Sequence, residues 1–167
     1  MINTRIRPAV SGDAPQMVTL LNAIIAAGGT TANQTPMTNN TMRSQYILPD
    51  GLVSTHVAIT NGRLSGFQYL RWANTPTDMM PNGWAIIATF VDITRSKLGI
   101  GQKLWSATRR SAIVDNVHVI DATIRADNTG GLTYYNGLGF VDYAQIPDMP
   151  LADGTPVTRI RKKFVLL

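Results

Sequence analysis

The chain has no cysteine. That excludes disulfides, a thiol nucleophile and thiolate metal sites. It has only 2 histidines, His56 and His118. Both fall in strand-like segments, and no metal site built on them is expected. No apolar run is long enough to span a membrane. The first residues, MINTRIRPAV, lack the apolar core of a signal peptide, so a cytoplasmic location is expected. Charged residues make up only 15% of the chain, with a formal net charge of +5. That charge permits nucleic acid but equally suits any polyphosphate ligand. No arginine-rich run interleaved with aromatics appears, and nucleic acid is not an expected partner. The densest basic cluster, Arg159-Ile160-Arg161-Lys162-Lys163, alternates like a strand with one solvated face. No internal repeat and no low-complexity segment occurs.

What is present is a globular composition. At 44% hydrophobic over 167 residues, the chain is long enough to bury the core of a single domain spanning residues 1–167. Its organising stretch runs from Trp84 to Gly101. Ala85 to Val91 is a continuous apolar run rich in β-branched residues, which reads as a strand buried on both faces. A polar connector, Asp92 to Lys97, leads to Leu98-Gly99-Ile100-Gly101 and a helical segment from Gln102 to about Val114. A buried strand therefore feeds a glycine-bearing turn that opens a helix. The first helical turn has unpaired N–H groups and the positive end of the dipole. Glycine lets an anion approach that backbone closely. Such a corner suits phosphate, and it equally suits tight packing alone.

The remaining segments read in order. Ile2 to Val10 is a first strand. Ser11-Gly12-Asp13 offers capping for a helix with Pro15 in its first turn and Met17, Leu20, Leu21, Ile24 and Ile25 at helical spacing. Gly28-Gly29 stops it. Thr30 to Thr38 is a loop, and Asn39 or Asn40 caps a short helix to about Leu48. Thr55 to Thr60 and Leu64 to Trp72 are strands joined by Asn61-Gly62, a hairpin signal. Gly66 marks a bulge or a close approach. Asn74 to Gly83 is a loop carrying Met79-Met80, read as packed on the core. His118 to Ile124 is a strand, Gly130 to Leu138 a short helix, and Phe140 to Tyr143 a strand. Gln145 to Pro156 reads as a proline-rich loop before a last strand, Val157 to Leu166. The order is that of an α/β or α+β sandwich with a mixed sheet covered by helices.

Two motifs on this frame resemble the GNAT (general N-acetyltransferase) superfamily. Val91 to Gly101 resembles its acetyl-CoA motif, with the core Ser96-Lys97-Leu98-Gly99-Ile100-Gly101. Asn128 through Tyr135 to Leu138-Gly139-Phe140 resembles its Asn…Tyr…Leu-Gly-Phe motif. Asn22 to Ile25 and Thr30 to Pro36 resemble the acceptor border of the phosphinothricin-acetyltransferase branch. The resemblance implies a mostly antiparallel twisted sheet with helices on both faces. It also implies acetyl-CoA as acyl donor without a metal, transfer to a primary amine of a small and amino-acid-like acceptor, and a homodimer.

Residue by residue, the resemblance places the pantetheine arm on the backbone of Phe90 and Val91. It places the pyrophosphate on the amides of Lys97, Leu98, Gly99, Ile100, Gly101 and Gln102. Arg95, Lys97 and Lys103 add positive charge near the phosphates. Asn128 matches the position that contacts the arm, and Tyr135 the tyrosine that protonates the leaving thiolate. A phenol's reference pKa of roughly 10 suits that task. Two departures stand out. Ser96 occupies the usual Arg/Gln position. Ile86 occupies the position where related enzymes carry a glutamate base. Asp121 and Asp92 are the alternative bases, along with a water chain or an acceptor of low pKa. The same departures keep a second reading open: an acyl-CoA-binding regulatory or interaction module of weak activity. Arg71, Trp72 and Arg125 are the candidates for recognising an anionic acceptor, which would sit among the three loops 28–38, 74–83 and 145–156.

Overall fold

The computed structural model describes residues 1–95 and 97–166; Ser96 and Leu167 lie outside the described residues. Seven strands form one sheet in the order β1-β2-β3-β4-β5-β7-β6. Four lie in the first half: β1 (Thr4–Pro8), β2 (Leu52–Thr60), β3 (Arg63–Trp72) and β4 (Trp84–Val91). Three follow: β5 (Val119–Arg125), β6 (Val141–Pro150) and β7 (Pro156–Val165). All neighbours pair antiparallel except β4 and β5. The expected mixed, mostly antiparallel sheet is what forms.

Helices cover both faces. On one face lie α1 (Ala14–Ala27) and α2 (Asn39–Met42), which continues as a π-helical turn, Arg43–Ile47. Met17, Leu21, Met42, Val57 and Phe67 close a core there with no more than traces of exposure. Burying each such side chain contributes roughly 1.5–3 kcal/mol. The other face carries α3 (Ile100–Val114) and α4 (Thr129–Leu138). Trp105, Ile120, Ala122, Tyr135 and Phe140 pack together beneath them. No helix among the described residues is long and apolar enough to cross a membrane.

Several boundaries differ from the sequence reading. Thr38, not Asn39 or Asn40, caps α2, its hydroxyl accepting from the Thr41 amide at 3.1 Å. Ser11–Asp13 forms a 3-10 turn that runs directly into α1. The 145–156 segment is mostly strand: β6 continues to Pro150, with a register shift between Ile146 and Met149 that absorbs Pro147 and Asp148. Prolines are tolerated at such bulges and on an edge strand. In the basic cluster of β7, Arg159, Arg161 and Lys163 share one half-buried face, as the alternation implies, and Lys162 turns to the other. Lys162 is 3% exposed and donates to Asn136 Oδ1 at 2.6 Å and to the Asp142 carboxylate.

Gly66 on β3 is a close-approach point, and the neighbouring register shift on β2 falls between Ala58 and Ile59. A Cβ on Gly66 would lie 3.0 Å from the Phe90 carbonyl oxygen, 3.1 Å from Ile100 and 3.3 Å from Leu104. Its missing side chain therefore seats the start of α3 against the end of β4. Gly66→Ala is expected to cost about 1–3 kcal/mol through overpacking, read as a lower midpoint in chemical unfolding. An unchanged midpoint would show that α3 sits loosely there.

Candidate functional site

The parallel pair β4–β5 holds together over only three register positions, Trp84–Val119, Ala85–Ile120 and Ile86–Asp121. Beyond Ile86 the strands part. On its other side β4 stays paired with β3 through Val91. The last five residues of β4 thus present a free edge to a gap. The gap opens into a cleft of about 870 Å³. Ile87 to Val91 and Thr123 to Arg125 line it, together with the start of α3, the start of α4 and Thr30 to Ala32.

One end of the cleft is the amino terminus of α3. The chain leaves β4 through a short turn, Ile93–Arg95, fixed by Asp92, whose Oδ1 accepts from the Thr94 amide at 2.9 Å. Lys97 and Gly99 then take left-handed conformations, φ 72 and 68. Gly99 does so freely, whereas a side chain there is strained. The first intrahelical bond runs from the Lys103 amide to the Gly99 carbonyl at 3.1 Å. The amides of Ile100, Gly101 and Gln102 precede it, at the positive end of the helix dipole. Lys97, Gly99, Ile100, Gly101 and Gln102 line the cleft; Leu98 does not, and is partly exposed. The Ile100 side chain turns into the core beside Ala58 and Leu104, so its backbone is what faces the cleft. Arg95 lines the cleft mouth near Asp92, 3.5 Å away. Ser96, the motif's departure position, lies outside the described residues.

Inside the gap sits a chain of hydroxyl groups. The hydroxyls of Tyr135 and Thr89 are 2.8 Å apart. Gln68 Nε2 donates to Thr89 at 2.8 Å and to the Tyr134 hydroxyl at 3.1 Å. Tyr134 donates its own proton to the Gly101 carbonyl at 2.8 Å. Burial pushes the Tyr134 phenol up to about 12. Burial likewise pushes Tyr135 well above the ordinary phenol range, with the neighbouring Tyr134 adding to it. Both phenols therefore stay protonated at neutral pH. The sequence alone does not single out Thr89, Gln68 or Tyr134. Polar positions in an apolar strand, Gln68 opposite Thr89 in the β3–β4 register, were the available signal.

Asn128 lines the cleft as a helix cap. Its Oδ1 accepts from the Gly131 amide at 2.9 Å, and its Nδ2 donates to the Thr30 carbonyl at 3.1 Å. It thereby ties α4 to the loop after α1. Phe90 packs on the α1 face, its ring 4.9 Å from Phe67 and 5.8 Å from Tyr46. Val91 packs toward Ile100 and Leu104 on the α3 face.

The candidate bases are engaged elsewhere. Asp121 is fully buried and does not line the cleft. It accepts from the Tyr143 hydroxyl, from Arg161 Nε at 3.2 Å and from Thr123 Oγ1 at 3.0 Å. Asp92 is the one carboxylate lining the cleft among the described residues. The chain contains no glutamate at all, its 10 acidic residues being aspartates. Arg71 is bound by Asp78 at 2.7 and 2.8 Å and does not line the cleft. That ion pair holds the Asp78 carboxyl far below the usual carboxylate range. Trp72 packs on the α3-side core. No residue of loops 74–83 or 145–156 lines the cleft, and Met79 projects into solvent, 91% exposed. Among the described residues no group of three or more metal-binding side chains occurs.

The sequence matches no family model and no curated protein. The folded chain is similar to known structures over nearly its whole length, and their fold is that of GNAT-type N-acetyltransferases. One is a ribosomal-protein-alanine N-acetyltransferase from Brucella melitensis, 19% identical, TM-score 0.83, covering 97% of this chain and 99% of that one. Another is a GNAT superfamily phosphinothricin acetyltransferase from Sinorhizobium meliloti in complex with acetyl-CoA, 17% identical, TM-score 0.84, covering 98% and 88%. A third is a GCN5-related N-acetyltransferase from Kribbella flavida, 22% identical, TM-score 0.81, covering 98% of each chain. The fold that the two sequence motifs implied is the one found.

Proposed function

We propose that the chain is an N-acetyltransferase that moves the acetyl group of acetyl-CoA directly to a primary amine of a small acceptor. One observation carries this reading: the gap between β4 and β5 joins an amide-lined helix start to a buried tyrosine hydroxyl. The free edge at Phe90 and Val91 would pair with the amides of the pantetheine arm. The pyrophosphate would lie on the α3 amides, with Lys97 adding charge. The two faces of the sheet support one direction of attack. Thr89, Tyr134 and Tyr135 lie on the α3 face of the gap, whereas Ala88, Phe90 and Thr123 lie on the α1 face. An acceptor entering beside Thr30 to Ala32 would meet the thioester carbon from the face opposite Tyr135. The amine nitrogen would then bond to the carbonyl carbon and lose one proton to water, the C–S bond would break, and Tyr135 would give the thiolate its proton and regain one from solvent. A neighbour of the same fold that holds acetyl-CoA supports the donor.

Asp92, the one carboxylate lining the cleft among the described residues, is held by Thr94 and Arg95 beside the α3 start, so the acceptor is expected to react as its neutral amine. We expect kcat/KM to rise with pH up to the acceptor's own pKa and then level, because only the deprotonated amine attacks. The bend should move with the acceptor when amines of different pKa are compared. A bend fixed at one pH for every acceptor would instead reveal a base on the protein. The weak-activity binding module draws on the absence of glutamate; the hydrogen-bonded Tyr135–Thr89 pair stands against it. Release of free CoA thiol against a panel of amines tests the proposal. Acetyl-CoA binding without turnover of any amine would favour the module.

A further inference from the structure

The basic residues around the gap differ in what they are already doing. Arg125 uses its whole guanidinium within the protein. Nε and Nη2 donate to Asp127 at 2.9 and 2.7 Å, and Nη1 to the Thr31 carbonyl at 3.0 Å. Arg161 pairs with Asp121 and lies over the Tyr143 ring at 5.3 Å. Arg159 is different. It stands opposite Arg125 in the β5–β7 register, so it shares the face that carries Thr123 and Asp121. It lines the cleft. Its Nε is buried with no hydrogen-bond partner, and it joins none of the ion pairs among the described residues.

A buried N–H of a guanidinium left without an acceptor is costly. Its location gives that cost a use. Arg159 lies on the α1 face, across the sheet from Tyr135 and the α3 amides, which is the acceptor's side of the gap under the transfer reading. A guanidinium presents a rigid fork that matches an oxyanion in two parallel bonds. Its immediate neighbour Arg125 is neutralised by Asp127, and Arg161 by Asp121, so among the described residues of β5 and β7 that line the cleft the cation without an ion pair is Arg159. We infer that Arg159 is the specificity residue for the acceptor: it binds an oxyanion, in the simplest case a carboxylate, on the same small molecule whose amine is acetylated. This inference rests on the acetyltransferase reading. The substrate class is then an amino acid or a related amino-oxyanion rather than a neutral or polycationic amine.

The test compares acetylation of amino acids, their amides and their aminophosphonate analogues by wild type, Arg159→Gln and Arg159→Lys. All three proteins are first shown to melt cooperatively. Wild type is expected to prefer the acid over the amide by about 10- to 100-fold in kcat/KM, the range set by one charge-assisted, two-pronged contact. In Arg159→Gln that preference should collapse to within a few-fold, through a higher KM for the acid. Arg159→Lys, which restores charge without the fork, should recover part of it. Equal or better use of the phosphonate would identify the shared oxyanion rather than the planar carboxylate as the recognised group. A wild-type preference for amides, or an acid preference unchanged in Arg159→Gln, would overturn the inference and leave the transfer reading standing. No acetylation of any amine would overturn both.

Discussion

Tyr135→Phe is expected to lower kcat by about 10²- to 10⁴-fold, the range supplied by a positioned general acid, with little change in the affinity for acetyl-CoA. The ring's packing survives the change. Its edge contacts with Tyr134 and Phe140, at 4.9 and 5.0 Å, need no hydroxyl. Thr89 also keeps a partner, because Gln68 still donates to it. The stability cost is therefore about 1 kcal/mol, that of one hydrogen bond. Burial raises the Tyr135 phenol above its ordinary value, so its deprotonation should give no limb in the pH–rate profile below about pH 10. The same dry surroundings raise the proton affinity of a thiolate leaving there, which keeps the transfer feasible. Tyr134→Phe is the contrasting variant. Its proton is already given to the Gly101 carbonyl, and its loss should cost far less in kcat. Steady-state kinetics on the two variants decide between them: a larger loss at Tyr134 would move the acid there.

Gly101 should be nearly as sensitive, for two separable reasons. A Cβ on Gly101 would sit 2.6 Å from the Tyr134 ring, so even alanine must displace that ring and its hydrogen bond to the Gly101 carbonyl. Gly101→Ala is expected to cost about 1–3 kcal/mol by overpacking, partly offset by the roughly 1 kcal/mol alanine gains over glycine inside a helix. Gly101→Glu carries the same clash and adds a carboxylate at the helix start. If the α3 amides hold the pyrophosphate, the glutamate variant should bind acetyl-CoA at least tenfold more weakly than the alanine variant, through like-charge repulsion. Calorimetric titration of both variants reads that difference. Equal weakening in the two would mean that Gly101 only makes room for Tyr134.

Much of the frame was legible because it is local. The apolar run of β4, the glycines after it, the Asn61-Gly62 hairpin and the spacing of α1 each follow from a few neighbouring residues. The gap was not legible in the same way. It exists because β4 and β5 pair for three positions and then part, a fact of the sheet alone; it could be anticipated only through the resemblance. The strand through Pro147 and Pro150 was hidden because its pairing with β7 overrides the prolines' local preference. Likewise Arg159-to-Lys163 reads from its alternation as a strand with one solvated face, which says nothing of what each basic residue meets. The structure sends Lys162 to one side of the sheet to pair with Asp142, and Arg159 to the other, into the cleft. Which arginines are occupied depends on where Asp78, Asp121 and Asp127 fall. The sequence therefore points to Arg71 and Arg125 for an anionic acceptor and leaves Arg159 in a basic strand, whereas the structure finds Arg71 and Arg125 occupied.

The most direct measurement is calorimetric titration of the unmodified protein with acetyl-CoA. One molecule per chain, bound in the micromolar range and displaced by CoA, is the result expected if the β4–β5 gap and the α3 amides form the donor site. An absence of binding heat at several temperatures would contradict it and reduce the glycine turn and the parted strands to packing.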